Sequence, residues 1–66
     1  MKKGKIVELG ERSSGFIKLV GVKEPLFFHS DALEGMSFNE LKPGDKVCFQ
    51  ITEARKGPYA VHVRRS

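Results

Sequence analysis

The stretch Gly15-Phe16-Ile17-Lys18-Leu19-Val20-Gly21-Val22-Lys23-Glu24-Pro25-Leu26-Phe27-Phe28-His29 decides the fold. Its apolar residues do not recur at the three- and four-residue spacing of a helix. They alternate: Ile17 with Leu19, then Leu26 with Phe28, on either side of turn-forming residues from Gly21 to Pro25. A two-residue period marks a strand buried on one face, so two strands joined by a turn are expected here. The pattern continues outward. Val47, Phe49 and Ile51 repeat it, as do Val61 and Val63, and Gly10 to Ser13, Lys42-Pro43-Gly44-Asp45 and Lys56-Gly57-Pro58 supply further turns. In the Lys42 turn, Pro43 suits the second position of a type II turn and Gly44 the third, which needs positive φ. Five strands are expected, over 3–9, 15–20, 25–29, 46–52 and 59–64. With 66 residues, five short strands best remove their exposed edges by closing into a small all-β barrel.

Residues 1–66 carry no repeat, linker or low-complexity tract and are expected to form one domain. Residues 30–45 are a long excursion in a tightly turned chain, and such loops are usually functional. Ser30 or Asp31 is expected to cap a short helical turn carrying Ala32 and Leu33, with Phe38 and Leu41 as apolar anchors. Cys48 is the only cysteine, which excludes an internal disulfide and makes a reducing, cytoplasmic compartment the expectation. No export signal or membrane-length apolar run is visible. Twelve Lys and Arg against eight Asp and Glu give a formal charge of +4, which favours polyanionic partners only if the cations are suitably placed.

Alternation also says what lies outside. If Ile17 and Leu19 point inward, Phe16 and Lys18 point outward; with Leu26 and Phe28 inside, Phe27 and His29 are outside. The reverse register would bury Lys18 at high cost. Three rings of one parity on two strands then stand in water. Nucleic-acid bases are suitable partners, because each has a flat π-face and stacking on an aromatic side chain is worth about 1–3 kcal/mol per base. Lys5, Arg12, Lys18, Lys23 and Lys56 are candidates to hold the phosphates.

These residues resemble the cold-shock domain family. Gly15-Phe16-Ile17 is similar to part of the family's first ribonucleoprotein motif, and Leu26-Phe27-Phe28-His29 to its second. Gly4-Lys5, Leu41-Lys42-Pro43-Gly44-Asp45-Lys46-Val47 with Phe49, and Lys56-Gly57-Pro58 with Ala60 and Val63 follow in family order and spacing. The resemblance implies a five-stranded antiparallel Greek-key barrel of the oligonucleotide-binding type, which binds single-stranded RNA or DNA and acts as an RNA chaperone or regulator. It gives stacking roles to Phe16, Phe27, His29 and Phe38, and basic contacts to Arg12 and Lys56. The chain departs from the family at Glu8, Ser14 and Ser30, where aromatic residues are usual, and at Ser13, where glycine is customary.

The rival reading is a protein-interaction barrel, with Phe16, Phe27 and Phe38 as an apolar patch. An enzyme is not expected. His29, His62 and Cys48 lack zinc-ligand spacing, no carboxylate pair or nucleophile elbow is evident, and no metal or cofactor is implied. Cys48 is expected to face away from the core, and His62 to be a solvated surface group beside Arg64.

Overall fold

The computed structural model describes residues 1–66. Its five strands are β1 (Lys2–Leu9), β2 (Ser14–Leu19), β3 (Leu26–His29), β4 (Lys46–Ala54) and β5 (Gly57–Arg65). They close into a barrel in the order β1-β2-β3-β5-β4. Neighbouring strands run antiparallel except at the closing contact, where Phe27 of β3 pairs in parallel with Tyr59 of β5. No helix is long and apolar enough to cross a membrane.

The inward residues of β2 and β3 meet those of β1 and β4: Ile6, Ile17, Phe28, Val47 and Phe49 have no solvent exposure, and Leu26 is nearly as buried. Leu41 plugs the barrel from the 30–45 excursion, with Leu33 and Phe38 packed beside it on the core. The Lys42 turn has the expected form. The Asp45 amide donates to the Lys42 carbonyl at 3.1 Å, and Gly44 has φ 98°.

Two core expectations fail for different reasons. Ile51 keeps the inward parity of Phe49, but the β1 ladder with β4 ends at Lys2 opposite Phe49, leaving Ile51 39% exposed beyond it. Val61 is not a core residue, because β5 carries a bulge. Between the pairs Cys48–Arg64 and Gln50–Val61, β5 takes three steps while β4 takes two, and His62 has φ 51°. An extra residue reverses parity beyond it. Val63 and Ala60 therefore both point inward, and Tyr59 and Val61 do not share Val63's face.

The 30–45 excursion contains two 3₁₀ turns, Ser30–Ala32 and Phe38–Glu40. The first is capped by His29 rather than by Ser30 or Asp31: the imidazole Nδ1 accepts from the Asp31 amide at 3.2 Å. His62 is likewise not a free surface group. The Glu34 carboxylate accepts from His62 Nδ1 at 2.8 Å and from Arg64 Nε at 2.7 Å, while the Glu34 amide donates to the Val63 carbonyl at 2.8 Å. Arg65 adds a bond to the Glu40 carbonyl at 3.2 Å and an ion pair with Asp45 at 3.7 Å. The excursion is thus fastened to β5 near both ends.

Gly15 permits the closest approach within the barrel. A Cβ there would lie 2.5 Å from the Glu8 carbonyl oxygen and 3.0 Å from a Phe28 ring carbon. Gly15→Ala is expected to cost about 1–3 kcal/mol through overpacking. Gly10→Ala, whose Cβ would meet nothing nearer than 3.8 Å, is expected to stay within about 0.5 kcal/mol of the parent. Urea midpoints of the two variants check this; equal stabilities would show that β1 yields freely around Gly15.

Candidate nucleic-acid interface

Cross-strand pairing carries the outward parity of β2 and β3 across the sheet as a row. Glu8 of β1 pairs with Phe16, Phe16 with Phe27, and Phe27 with Tyr59. The Phe16 and Phe27 rings meet edge to face, with centroids 6.0 Å apart and planes at 72°. That geometry suits the ring quadrupoles and leaves the faces of the pair differently oriented. Phe27 is 42% exposed, a large share for a phenylalanine in a strand. A register shift between Ile6 and Glu8 brings Glu8 opposite Phe16, so a carboxylate ends the row on the β1 side.

His29 lies on the next rung, opposite Ser14. Its Nδ1 faces both the Asp31 amide and, at 3.5 Å, the Asp31 carboxylate. The hydrogen bond from the Asp31 amide orients the ring, while its side chain stays 46% exposed.

On the far side, Phe27, His29, Tyr59, Arg55 and Lys56 line an open cleft of about 660 Å³ between β3 and the β4–β5 hairpin. This cleft joins three stacking candidates to a basic pair. Arg12 sits in the turn before β2, with φ 62°. The Ser30 amide donates to the Ser13 carbonyl at 2.8 Å, which holds that turn beside the His29 end of the face. Lys18 is two residues from Phe16 on the same strand face, pairs across to Lys5, and reaches the Val22 carbonyl at 3.5 Å.

Pairing thus gathers Phe16, Phe27, His29, Lys5 and Lys18 on one face, with Lys56 and Arg12 at its margins. Phe38 is not part of the row: it stands on the second 3₁₀ turn and packs partly against the core. Tyr59 and Arg55 are additions. Carrying the alternation of Val61 and Val63 backward places Tyr59 inward, and the β5 bulge reverses that reading. The available signal was Ala60, whose three-residue spacing from Val63 does not fit an uninterrupted strand. Cys48 is half-buried, its Sγ 3.8 Å from the Arg65 carbonyl.

The Glu34 clamp holds the excursion that carries Phe38. Hydrogen bonds from His62 first and Arg64 second keep the Glu34 carboxyl below its usual value of 4.5. A carboxyl whose pKa is lowered in the folded state contributes stability that is complete above the ordinary value and is lost as pH falls through the lowered one. Acidification is therefore expected to cost the parent more stability than Glu34→Gln. Urea unfolding of both proteins at successive pH values checks this; parallel losses would mean that the clamp does not contribute to acid sensitivity.

The family model "'Cold-shock' DNA-binding domain" matches residues 2–66. Cold shock-like protein CspD of Bacillus cereus is 37% identical over 57 residues, covering 86% of this chain and 85% of that protein. Cold shock protein CspB of Geobacillus stearothermophilus is 34% identical over 64 residues, 96% of each chain. Among solved structures, drosophila Unr CSD456 superposes with a TM-score of 0.81 at 24% identity, covering 98% of this chain and 26% of that longer one, a likeness of fold.

Proposed function

Because the chain belongs to the cold-shock domain family, we propose that its residues 1–66 act as one unit that binds single-stranded nucleic acid, RNA or DNA, on the face of β2, β3 and β5. The carrying observation is the outward row Phe16, Phe27 and Tyr59, flanked by basic side chains. Bases of an unpaired strand stack on the rings and on His29, while Lys5, Lys18, Arg12, Arg55 and Lys56 hold the phosphates. Stacking requires bases freed from their own partners, so single strands are preferred to duplex. A protein that binds only the unpaired form shifts RNA toward that form by mass action, which is the physical content of a chaperone role in the cytoplasm.

Relative to the family's usual pattern, the face is narrower and displaced. Glu8, Ser14 and Ser30 offer no ring, and at about 1–3 kcal/mol per stacked base the loss weakens binding near β1 and at the β3 end. Tyr59 adds a ring on the β5 side. The bound strand is therefore centred on Phe27 and the Arg55–Lys56 cleft rather than on β1.

Phe16→Ala and Phe27→Ala are each expected to weaken oligonucleotide binding by about 1–3 kcal/mol. Both side chains lie outside the core, so folding should be little affected. Parent affinity is expected to fall with salt at roughly −0.7 in log–log slope per phosphate neutralised. Filter-binding or anisotropy titrations at two salt concentrations, with single strands and matched duplex, test the reading. Binding that ignores salt and both rings would instead favour an apolar protein partner on this surface.

A further inference from the structure

A second basic feature lies one rung from the rings. Lys18 pairs with Lys5, and Lys5 pairs on its other side with Lys46, placing three ammonium groups in one cross-strand row. Lys3, two residues before Lys5, shares its face. These four side chains surround a groove of about 380 Å³ whose apolar floor includes Val7 and Leu19, and no acidic side chain lines it. Like charges directly opposite one another on a sheet are destabilising, so the arrangement works against the free fold. Nor is the repulsion relieved by an acidic side chain. The ion pairs of the molecule join His29 to Asp31, His62 and Arg64 to Glu34, and Arg65 to Asp45, and none includes these lysines. The formal charge of the chain is +4; setting these four lysines aside leaves eight basic side chains against eight acidic ones. The excess charge of the whole protein is thus equal to that of one groove.

Geometry connects this groove to the rings. Phe16 and Lys18 are two residues apart on one strand face, about 7 Å along β2, and two strand spacings carry the row about 10 Å farther to Lys46. We propose that the sugar-phosphate backbone of a bound single strand, after leaving Phe16, continues across β1 into this groove, where Lys3 and Lys46 are phosphate-binding residues. The proposal rests on the single-strand reading above and extends its footprint to β4. Contact in the groove is made by ammonium groups to phosphates and does not depend on base identity, while the Glu8 carboxylate at the β1 end of the ring row repels phosphate and keeps the crossing on the lysine side.

Oligothymidylates of two lengths separate the two ideas. A tetranucleotide is short enough to occupy the rings alone; a dodecanucleotide reaches the groove. Lys3→Gln with Lys46→Gln is compared with Lys2→Gln with Lys42→Gln, an equal charge change at exposed positions outside the groove. For the dodecanucleotide, the groove variant is expected to lose about 1.4 from the log–log salt slope, two contacts at roughly 0.7 each, and about tenfold or more in affinity at low salt. The control should lose markedly less. Tetranucleotide affinity should be alike in both variants. Because the groove lysines repel one another, the groove variant should also melt no lower than the parent, so weaker binding cannot be ascribed to unfolding. Equal losses in the two variants on the dodecanucleotide, with the tetranucleotide still bound, would overturn the groove and leave the ring face standing. Failure of the parent to bind either oligonucleotide would overturn both.

Discussion

On β2 and β3, the residues that close the core alternate one by one with the residues that face solvent. Ile17, Leu26 and Phe28 are held inside by the rest of the barrel, and the pleat then leaves Phe16, Lys18, Phe27 and His29 no position but outside. Shifting either strand by one residue would bury Lys18 or His29 and expose the best-packed side chains of the molecule. Packing and surface chemistry are therefore one constraint. The fold cannot keep its core without also presenting the rings, and every strand paired to β2 and β3 takes its register from them.

The same economy explains what the small core tolerates. Nine buried apolar residues form a single cluster, with one end closed by the 30–45 excursion rather than by another strand. That excursion has little core of its own and is fixed by polar bonds: the His29 cap at its start, Glu34 with His62 and Arg64 soon after, and Arg65 with Glu40 and Asp45 toward its end. Against this support stands the lysine row on β1, β2 and β4, none of whose members has an acidic partner within the fold. In the proposed phosphate-binding role, a bound polyanion offsets that repulsion and the free protein bears it.

Local signals in the sequence located the five strands to within a few residues, the Lys42 turn, and the inward and outward sets on β2 and β3. Each of these depends on a two-residue period or on turn chemistry confined to a few neighbours. What was missed is non-local. The His62 bulge answers to the pairing of β5 with β4 and hid Tyr59 from an alternation argument. Glu34 meets His62 and Arg64 only after the barrel has closed, so His62 read as a solvated group. Ile51 has the parity of a core residue and lacks only a neighbouring strand, and strand length is the least legible quantity in a sequence. Phe38 read equally as plug or platform, and the structure puts part of it against the core.

The row Phe16, Phe27 and Tyr59 is the proposed platform for stacked bases. The chain contains one tyrosine and no tryptophan, so its intrinsic emission reports on Tyr59. Titration with a single-stranded oligonucleotide while tyrosine fluorescence is followed tests the claim directly, with anisotropy of a labelled strand as the independent measure of binding. Saturable quenching that tracks the anisotropy, and that duplex of the same sequence reproduces only weakly, is the predicted result. Full binding by anisotropy with unchanged tyrosine emission would place the bases elsewhere and contradict the account.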